Sequence, residues 1–327
     1  MPQFAFVFPG QGSQYVGMGK ALAASSAAAA ETFNAADVVL DEPLSRLMFE
    51  GPAEQLDQTV NSQPAILVHS VALLRTLEER LEGPGAEADL TPAFYAGHSM
   101  GQYSAMVSAG VISLADGIRL VRERGRQMQA SADDGAMAAI IGLPDDKVAQ
   151  LEAAGRAIGH FTIANRNSPG QIVVSGETAA VNGAAEAAKG LGAKRAIVLP
   201  VSVAAHSPLM ARAAEGMKRV LADVDFQDPR APLLSNADAR PLTTAEQCRA
   251  ELVEHLTRGV DWIAAVEYMT TQGVGSFVEV GPGKVLTGLI KRIAPEAHGV
   301  ALDDANAPDG IALPDFLPVT TSQGASA

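Results

Sequence analysis

The chain contains a single cysteine, Cys248. One thiol excludes an internal disulfide and any metal site built from several cysteines, and Cys248 itself reads as a helix residue. No Lys or Arg precedes Lys20. The start MPQFAFVFPG therefore lacks the basic region of a secretory signal and reads as a buried strand entering a turn, in a protein expected in the cytoplasm. Long apolar runs are missing too. The Ala-rich stretch from Ala21 to Ala30 is interrupted by Ser25 and Ser26 and flanked by Lys20 and Glu31. That is far short of the roughly 20 apolar residues of a membrane span, so a helix is expected there. Positive charge is scarce: 24 Lys and Arg stand against 37 Asp and Glu, a net charge of −13, which argues against nonspecific nucleic-acid binding. Nucleotide motifs are incomplete as well. After Gly10-Gln11-Gly12 the third glycine of a dinucleotide fingerprint would fall at Tyr15, and no Walker lysine follows.

What is present is an ordinary α/β composition over 327 residues, with 47% apolar and 19% charged, enough for one large core or a core with a smaller insert. Phe4 to Phe8 reads as a buried parallel-type strand ended by Pro9-Gly10, and Gln63 to Leu81 has helical spacing. Phe94 to Gly97 reads as a strand, His98-Ser99 as a turn, and Met100 to Ala109 as a helix stopped at Gly110. Ser113 with Asp116 resembles a capping box for a helix running to about Gln129. From Gly135 to Pro200 the pattern is strand, helix, strand, strand, helix, strand, the ferredoxin-like order and long enough for a small inserted domain. A helix from Pro208 to about Val220, the strand SFVEVG and a helix from Lys284 to Ile293 follow. Beyond about Asp303 the residues carry no period and are expected to fray.

Gly97-His98-Ser99-Met100-Gly101 fits G-x-S-x-G, the nucleophile elbow, in which glycines let the chain turn sharply enough to present a serine hydroxyl at a helix start. The strand before and helix after supply the required context. A serine needs a base, and of six histidines only His206 lies where a strand ends and a helix begins, with Ser207 and Pro208 suited to N-cap and N1. His98 is adjacent to Ser99, and neighbours in sequence rarely reach each other as acid and base. His69, His160, His255 and His298 have surroundings that suit packing or surface roles. At 100° per residue Arg124 shares a face with Leu120, Val121 and Met128, whereas Arg119, Arg122 and Arg126 point away. A guanidinium on an apolar stripe needs an anion, either a structural carboxylate or that of a ligand. The Gly10-Gln11-Gly12 loop is suited to bringing the Gln11 N–H up to the elbow as one oxyanion donor, with the Met100 N–H as the other.

Taken in order, GQGSQ, GHSMG, Arg124-Gly125, NSPGQIVVSG, VSVAAHSPLM and VEVGPGKVLTGLIKRI resemble the malonyl-CoA:acyl carrier protein transacylases over about residues 1–302. The resemblance implies an α/β-hydrolase-like large domain, residues 1–131 and 201–302, with a ferredoxin-like small domain inserted at 132–200 and a tail at 303–327. It places the active site in the cleft between them. It also implies Ser99 as nucleophile, His206 as base, Arg124 as the carboxylate-binding arginine and Gln11 in the oxyanion loop. The base would be oriented by a main-chain carbonyl in Val260-Asp261-Trp262, here assigned to the Asp261 backbone. Three positions depart from the family's habit: Asp261 where Gln or Arg is usual, Gln102 where Glu is common, and Ala205 where Phe or Ser is common.

The implied activity is S-malonyl transfer from malonyl-CoA to an acyl carrier protein, for fatty acid or polyketide synthesis, by double displacement through a malonyl-serine. A thioester is already activated, so no metal or redox cofactor is expected, and the enzyme is expected to be a monomer. Ala204 and Ala205 suggest a roomier pocket, which makes a trans-acting polyketide acyltransferase using methylmalonyl one alternative. A serine hydrolase or thioesterase is another, although its HGGG oxyanion motif is absent. For an acidic carrier, the candidate docking residues are Lys189, Lys194, Arg195, Lys284 and Arg292.

Overall fold

The run FAFVF has no polar position, and in the strand Gln3–Phe8 every one of those residues is buried. A strand covered on both faces and paired on both edges has that composition. The computed structural model describes residues 3–81, 86–88, 90–131, 134–201, 203–303 and 319–321. Gln3–Phe8 lies inside a six-stranded sheet whose order is His298–Leu302, Val274–Val280, Gln3–Phe8, Phe94–Gly97, Leu233–Leu234, Pro241–Leu242. All neighbours are parallel except the last pair. Because Gln3–Phe8 and Phe94–Gly97 run side by side in the same direction, the loops leaving them emerge at the same sheet end. Open α/β sheets bind ligands at the carboxyl ends of their strands.

The helices Thr59–Leu81 and Leu114–Ala130 pack against each other, and the first of them against the sheet strand Val274–Val280. Gly125 marks their close approach, since a Cβ there would lie 2.9 Å from the Val60 Cα. The neighbouring Arg124 is thereby drawn into the interior rather than left on a helix surface.

A second sheet of five strands has the order Val260–Asp261, Phe161–Ser168, Gln171–Gly176, Ala136–Ile141, Arg195–Val198. Its four strands from residues 136–198 are antiparallel, while Val260–Asp261 joins the edge in parallel. With the helices Val148–Arg156 and Thr178–Gly190 they follow the order read from the sequence. Ala180, Ala184 and Ala188 line the inner face of the second helix, and with Ala138, Ile140 and Val174 they form a separate apolar core. The fold is thus mixed α/β, with two main sheets and many helices.

Several sequence expectations need adjustment. The Ala21 to Ala30 run is two helices, Lys20–Ser25 and Ala27–Leu40. Ser26, which interrupts the run, accepts from the Ala29 N–H at 3.1 Å and caps the second. The tail does not begin at Asp303, which is buried and accepts hydrogen bonds from Tyr15 and Gly283 at 2.7 Å each. Val319–Thr321, in the tail expected to fray, pairs with Ala86–Ala88. Expected fraying over 304–318 and 322–327 lies outside the described residues. No helix among the described residues is long and apolar enough to cross a membrane.

Candidate active site

Ser99 stands between the strand Phe94–Gly97 and the helix Gly101–Ser108 with φ at 54°, in the left-handed region that costs a non-glycine residue about 1–2 kcal/mol. The flanking glycines are steric necessities. A Cβ at Gly97 would lie 2.1 Å from the Gly101 carbonyl carbon, and one at Gly101 would lie 2.2 Å from the Phe8 oxygen. Gly10, in the loop after the neighbouring strand, would place a Cβ 2.8 Å from the His98 oxygen. Three glycines therefore bring the GQG loop and the elbow into backbone contact. The Gln11 side chain donates to Thr59 Oγ1 at 3.2 Å, which ties that loop to the long helix. Among the described residues, neither the Gln11 N–H nor the Met100 N–H has a protein acceptor.

His206 reaches Ser99 across 107 residues of sequence, with Nε2 at 2.7 Å from Ser99 Oγ. It too has a left-handed backbone, φ 60°. Its Nδ1 lies 2.7 Å from the His255 carbonyl oxygen and 3.1 Å from that of Arg258. Carbonyls only accept, so Nδ1 carries the proton and Nε2 presents a lone pair to the serine hydroxyl. The orienting carbonyl is therefore not that of Asp261. The Asp261 side chain instead accepts from the Ala264 N–H at 3.0 Å, capping Trp262–Thr271, while its N–H goes to the Asn236 carbonyl at 2.7 Å. The physical reason is that the helix Ala245–Glu254 ends at His255, where carbonyls lack intrahelical partners. Burial, reinforced by the Arg124 charge, lowers the His206 pKa to about 3, so the imidazole is neutral.

Arg124 is only 2% exposed, on the same buried face as Leu120, Val121 and Met128. Nη1 donates to Gln63 Oε1 at 2.9 Å and Nη2 to Ser99 Oγ at 3.2 Å, leaving Nε without a partner. Among the described residues no carboxylate pairs with it. Of the arginines expected to point away, Arg119 and Arg126 do so, but Arg122 is half-buried and pairs with Glu42 at 2.9 Å.

Ser99, His206 and Arg124 are thus brought together, with Gln11 and Met100 placed by the loop and elbow. Sequence reasoning missed Asn236, which touches the backbone on both sides of His98, and the carbonyls of His255 and Arg258. Every residue carries a carbonyl, so no residue type signals them. His98 Nε2 lies 2.8 Å from Asn167 Oδ1 in the small sheet and its ring meets Trp262 edge-on, a tie between the two sheets. The five candidate docking cations are all exposed, though Lys189 is paired with Glu186 and Arg292 donates to Gln171, at 2.8 Å each. Ala204 and Ala205 are both buried in the main core.

Residues 5–304 match the model of the acyl transferase domain family. The malonyl CoA-acyl carrier protein transacylase of Escherichia coli K12 is 47% identical over 312 residues, 94% of this chain and 98% of that relative. That of Bacillus subtilis is 43% identical over 307 residues, 93% of this chain and 94% of the relative. The crystal structure of an acyl carrier protein S-malonyltransferase from Vibrio cholerae superposes with a TM-score of 0.86 at 44% identity, covering 92% of this chain and 97% of that one. A malonyl-transacylase in complex with its type II PKS acyl-carrier protein superposes with a TM-score of 0.86 at 42% identity, covering 92% and 96%.

Proposed function

The chain belongs to the malonyl-CoA:acyl carrier protein transacylase family of acyltransferases, and we propose a double displacement on Ser99 as its mechanism. It is a malonyl-CoA:acyl carrier protein S-malonyltransferase. The observation that carries the mechanism is the position of Ser99 Oγ, 2.7 Å from a neutral imidazole nitrogen and 3.2 Å from a buried guanidinium.

Ser99 Oγ attacks the malonyl thioester carbon while its proton passes to His206 Nε2. The N–H groups of Gln11 and Met100 receive the oxyanion. On collapse the carbon–sulfur bond breaks, and the coenzyme A sulfur takes the proton from Nε2. The phosphopantetheine thiol of the carrier then gives its proton to His206 and attacks the malonyl ester. Ser99 Oγ leaves with the proton, and malonyl has moved to the new sulfur. Arg124 binds the malonyl carboxylate throughout. A buried guanidinium without a carboxylate partner among the described residues supports that role over a structural ion pair.

The same proposal covers the architecture: an α/β-hydrolase-like large domain of residues 1–131 and 201–302, and a ferredoxin-like insert at 132–200, active as a monomer in the cytoplasm. The strand orders of the two sheets support the division into two domains, as does the separate core of the smaller one. Exposed Lys194, Arg195 and Lys284, with Lys189 and Arg292, are the proposed landing area for the acidic carrier, and reversing their charge should weaken transfer most at low salt.

Trapping labelled malonyl from malonyl-CoA tests the mechanism. The label should sit on Ser99, be absent in Ser99→Ala and chase into the carrier. Dominant release of free malonate with carrier present would favour a hydrolase, and preference for methylmalonyl-CoA a branched extender.

A further inference from the structure

Ser99 is held in its left-handed conformation by a residue distant in sequence. Asn236 lies in the turn between the strands Leu233–Leu234 and Pro241–Leu242. Its Oδ1 accepts from the Ser99 N–H at 2.8 Å, and its Nδ2 donates to the Gly97 carbonyl at 3.0 Å. One planar amide thus spans the elbow, with its acceptor and donor ends fixed by the backbone groups they face. Asn236 is itself 3% exposed. Its N–H donates to Glu251 Oε1 at 2.7 Å, and its carbonyl accepts from the Asp261 N–H at 2.7 Å. Glu251 is four residues before His255 on the helix Ala245–Glu254, and the His255 N–H closes onto the Glu251 carbonyl at 3.0 Å. The His255 carbonyl in turn accepts from His206 Nδ1.

We infer that Asn236 is a positioning residue for the nucleophile, and that the end of the helix Ala245–Glu254 sets both members of the catalytic pair. Through Glu251 and Asn236 it fixes Ser99, and through the His255 carbonyl it fixes His206. A second consequence concerns the oxyanion. The Ser99 N–H, the group that chymotrypsin-type serine enzymes aim at the developing charge, is engaged by Asn236 here. The N–H groups available for that task are then those of Met100 and Gln11. The assignment rests on Ser99 being the acylated residue.

Single-turnover acylation by labelled malonyl-CoA tests it, with malonyl-CoA binding measured separately in a Ser99→Ala background. Wild type must first acylate at Ser99; if it does not, the transferase mechanism fails rather than this inference. Given that, Asn236→Ala should acylate about ten- to a hundredfold more slowly, because small displacements of a reacting group have effects of that size. Adding Asn236→Ala to Ser99→Ala should leave malonyl-CoA affinity within about twofold of Ser99→Ala alone, a split that general disruption of the site does not produce. Asn236→Asp keeps the size and one acceptor but sets a carboxylate oxygen against the Gly97 carbonyl, so it should be slowed as well. Should Asn236→Ala not fold, Asn236→Asp carries the test by itself. Acylation at the wild-type rate in the folded variant, or a loss of affinity equal to the loss of rate, overturns the inference.

Discussion

The proposed nucleophile and its proposed base occupy the same unusual backbone region, φ 54° at Ser99 and 60° at His206, yet the molecule holds them there by different means. On the serine side nearby glycines, whose missing side chains let three backbone segments touch, make the room for the conformation, which the Asn236 amide then holds. On the histidine side the segment 203–207 contains no glycine. Space is made from across the fold by Gly135, where a Cβ would lie 2.6 Å from the Ala204 nitrogen. The imidazole is then held by two carbonyls. A conformation given room by absent atoms near in sequence leaves a motif; one held by distant backbone atoms leaves none.

The largest expected effect breaks the serine side. Gly101→Ala would drive a methyl into the Phe8 and Pro9 carbonyl oxygens, at 2.2 and 2.8 Å, neither of which can move without separating the elbow from the central strand. Destabilisation of about 3 kcal/mol or more is expected, seen as a lowered thermal midpoint with little soluble activity. A midpoint within a degree or two of wild type would show that the close approach is not needed.

Between the two sides stands Arg124, which touches Ser99 and adds to the depression of the His206 pKa. Arg124→Ala should lose malonyl transfer by tens- to thousands-fold, the roughly 2–5 kcal/mol typical of removing one partner of a buried charge pair. Acetyl transfer should be kept or gain relative to malonyl, and Arg124→Lys should rescue incompletely because an ammonium lacks the two-pronged donor. Removing the positive charge should also raise the His206 pKa from about 3, with burial keeping it below the ordinary 6.5. Equal losses for malonyl and acetyl, or an unmoved His206 titration, would return Arg124 to a structural role.

Much of this was legible in the sequence, and unevenly so. The elbow, the GQG loop, the buried face of Arg124 and the order of elements in the small sheet each follow from residue type plus spacing, because glycine, apolar period and capping residues act locally. His206 was found through its place before Ser207-Pro208, and Ser207 does cap the short turn Pro208–Met210. Asn236 and the His255 and Arg258 carbonyls were not legible. Their role depends on where a turn and a helix end arrive after the chain has folded, and an Asn in the stretch LLSNADAR looks like any turn residue.

On the histidine side the supporting helix has its own weak point. Glu251 is 2% exposed, and burial raises its carboxyl to about 7, only partly opposed by the Asn236 N–H. A folded pKa above the unfolded one means the native state holds its proton longer. Glu251 therefore supports folding fully below the ordinary carboxyl range and loses that contribution as pH rises from about 4.5 to 7. Glu251→Gln keeps an acceptor for Asn236 without the charge. Its stability relative to wild type should rise across that window, by about 3 kcal/mol at the upper end. Parallel stability curves for the two proteins from pH 4 to 8 would exclude the buried carboxyl as the source.

The smallest effect sharpens the comparison most directly, because it separates a side chain from a main-chain atom. The base was expected to be oriented at Asp261, and the carbonyls that hold His206 Nδ1 belong to His255 and Arg258. Asp261→Ala removes the carboxylate that caps Trp262–Thr271 through the Ala264 N–H. Loss of such a cap costs about 1 kcal/mol. It leaves the backbone, and hence both bonds to the imidazole, in place. The thermal midpoint should therefore fall by a few degrees while the acylation rate and the His206 titration stay at wild-type values. A slowed acylation at unchanged stability would mean that the Asp261 side chain acts on the base after all.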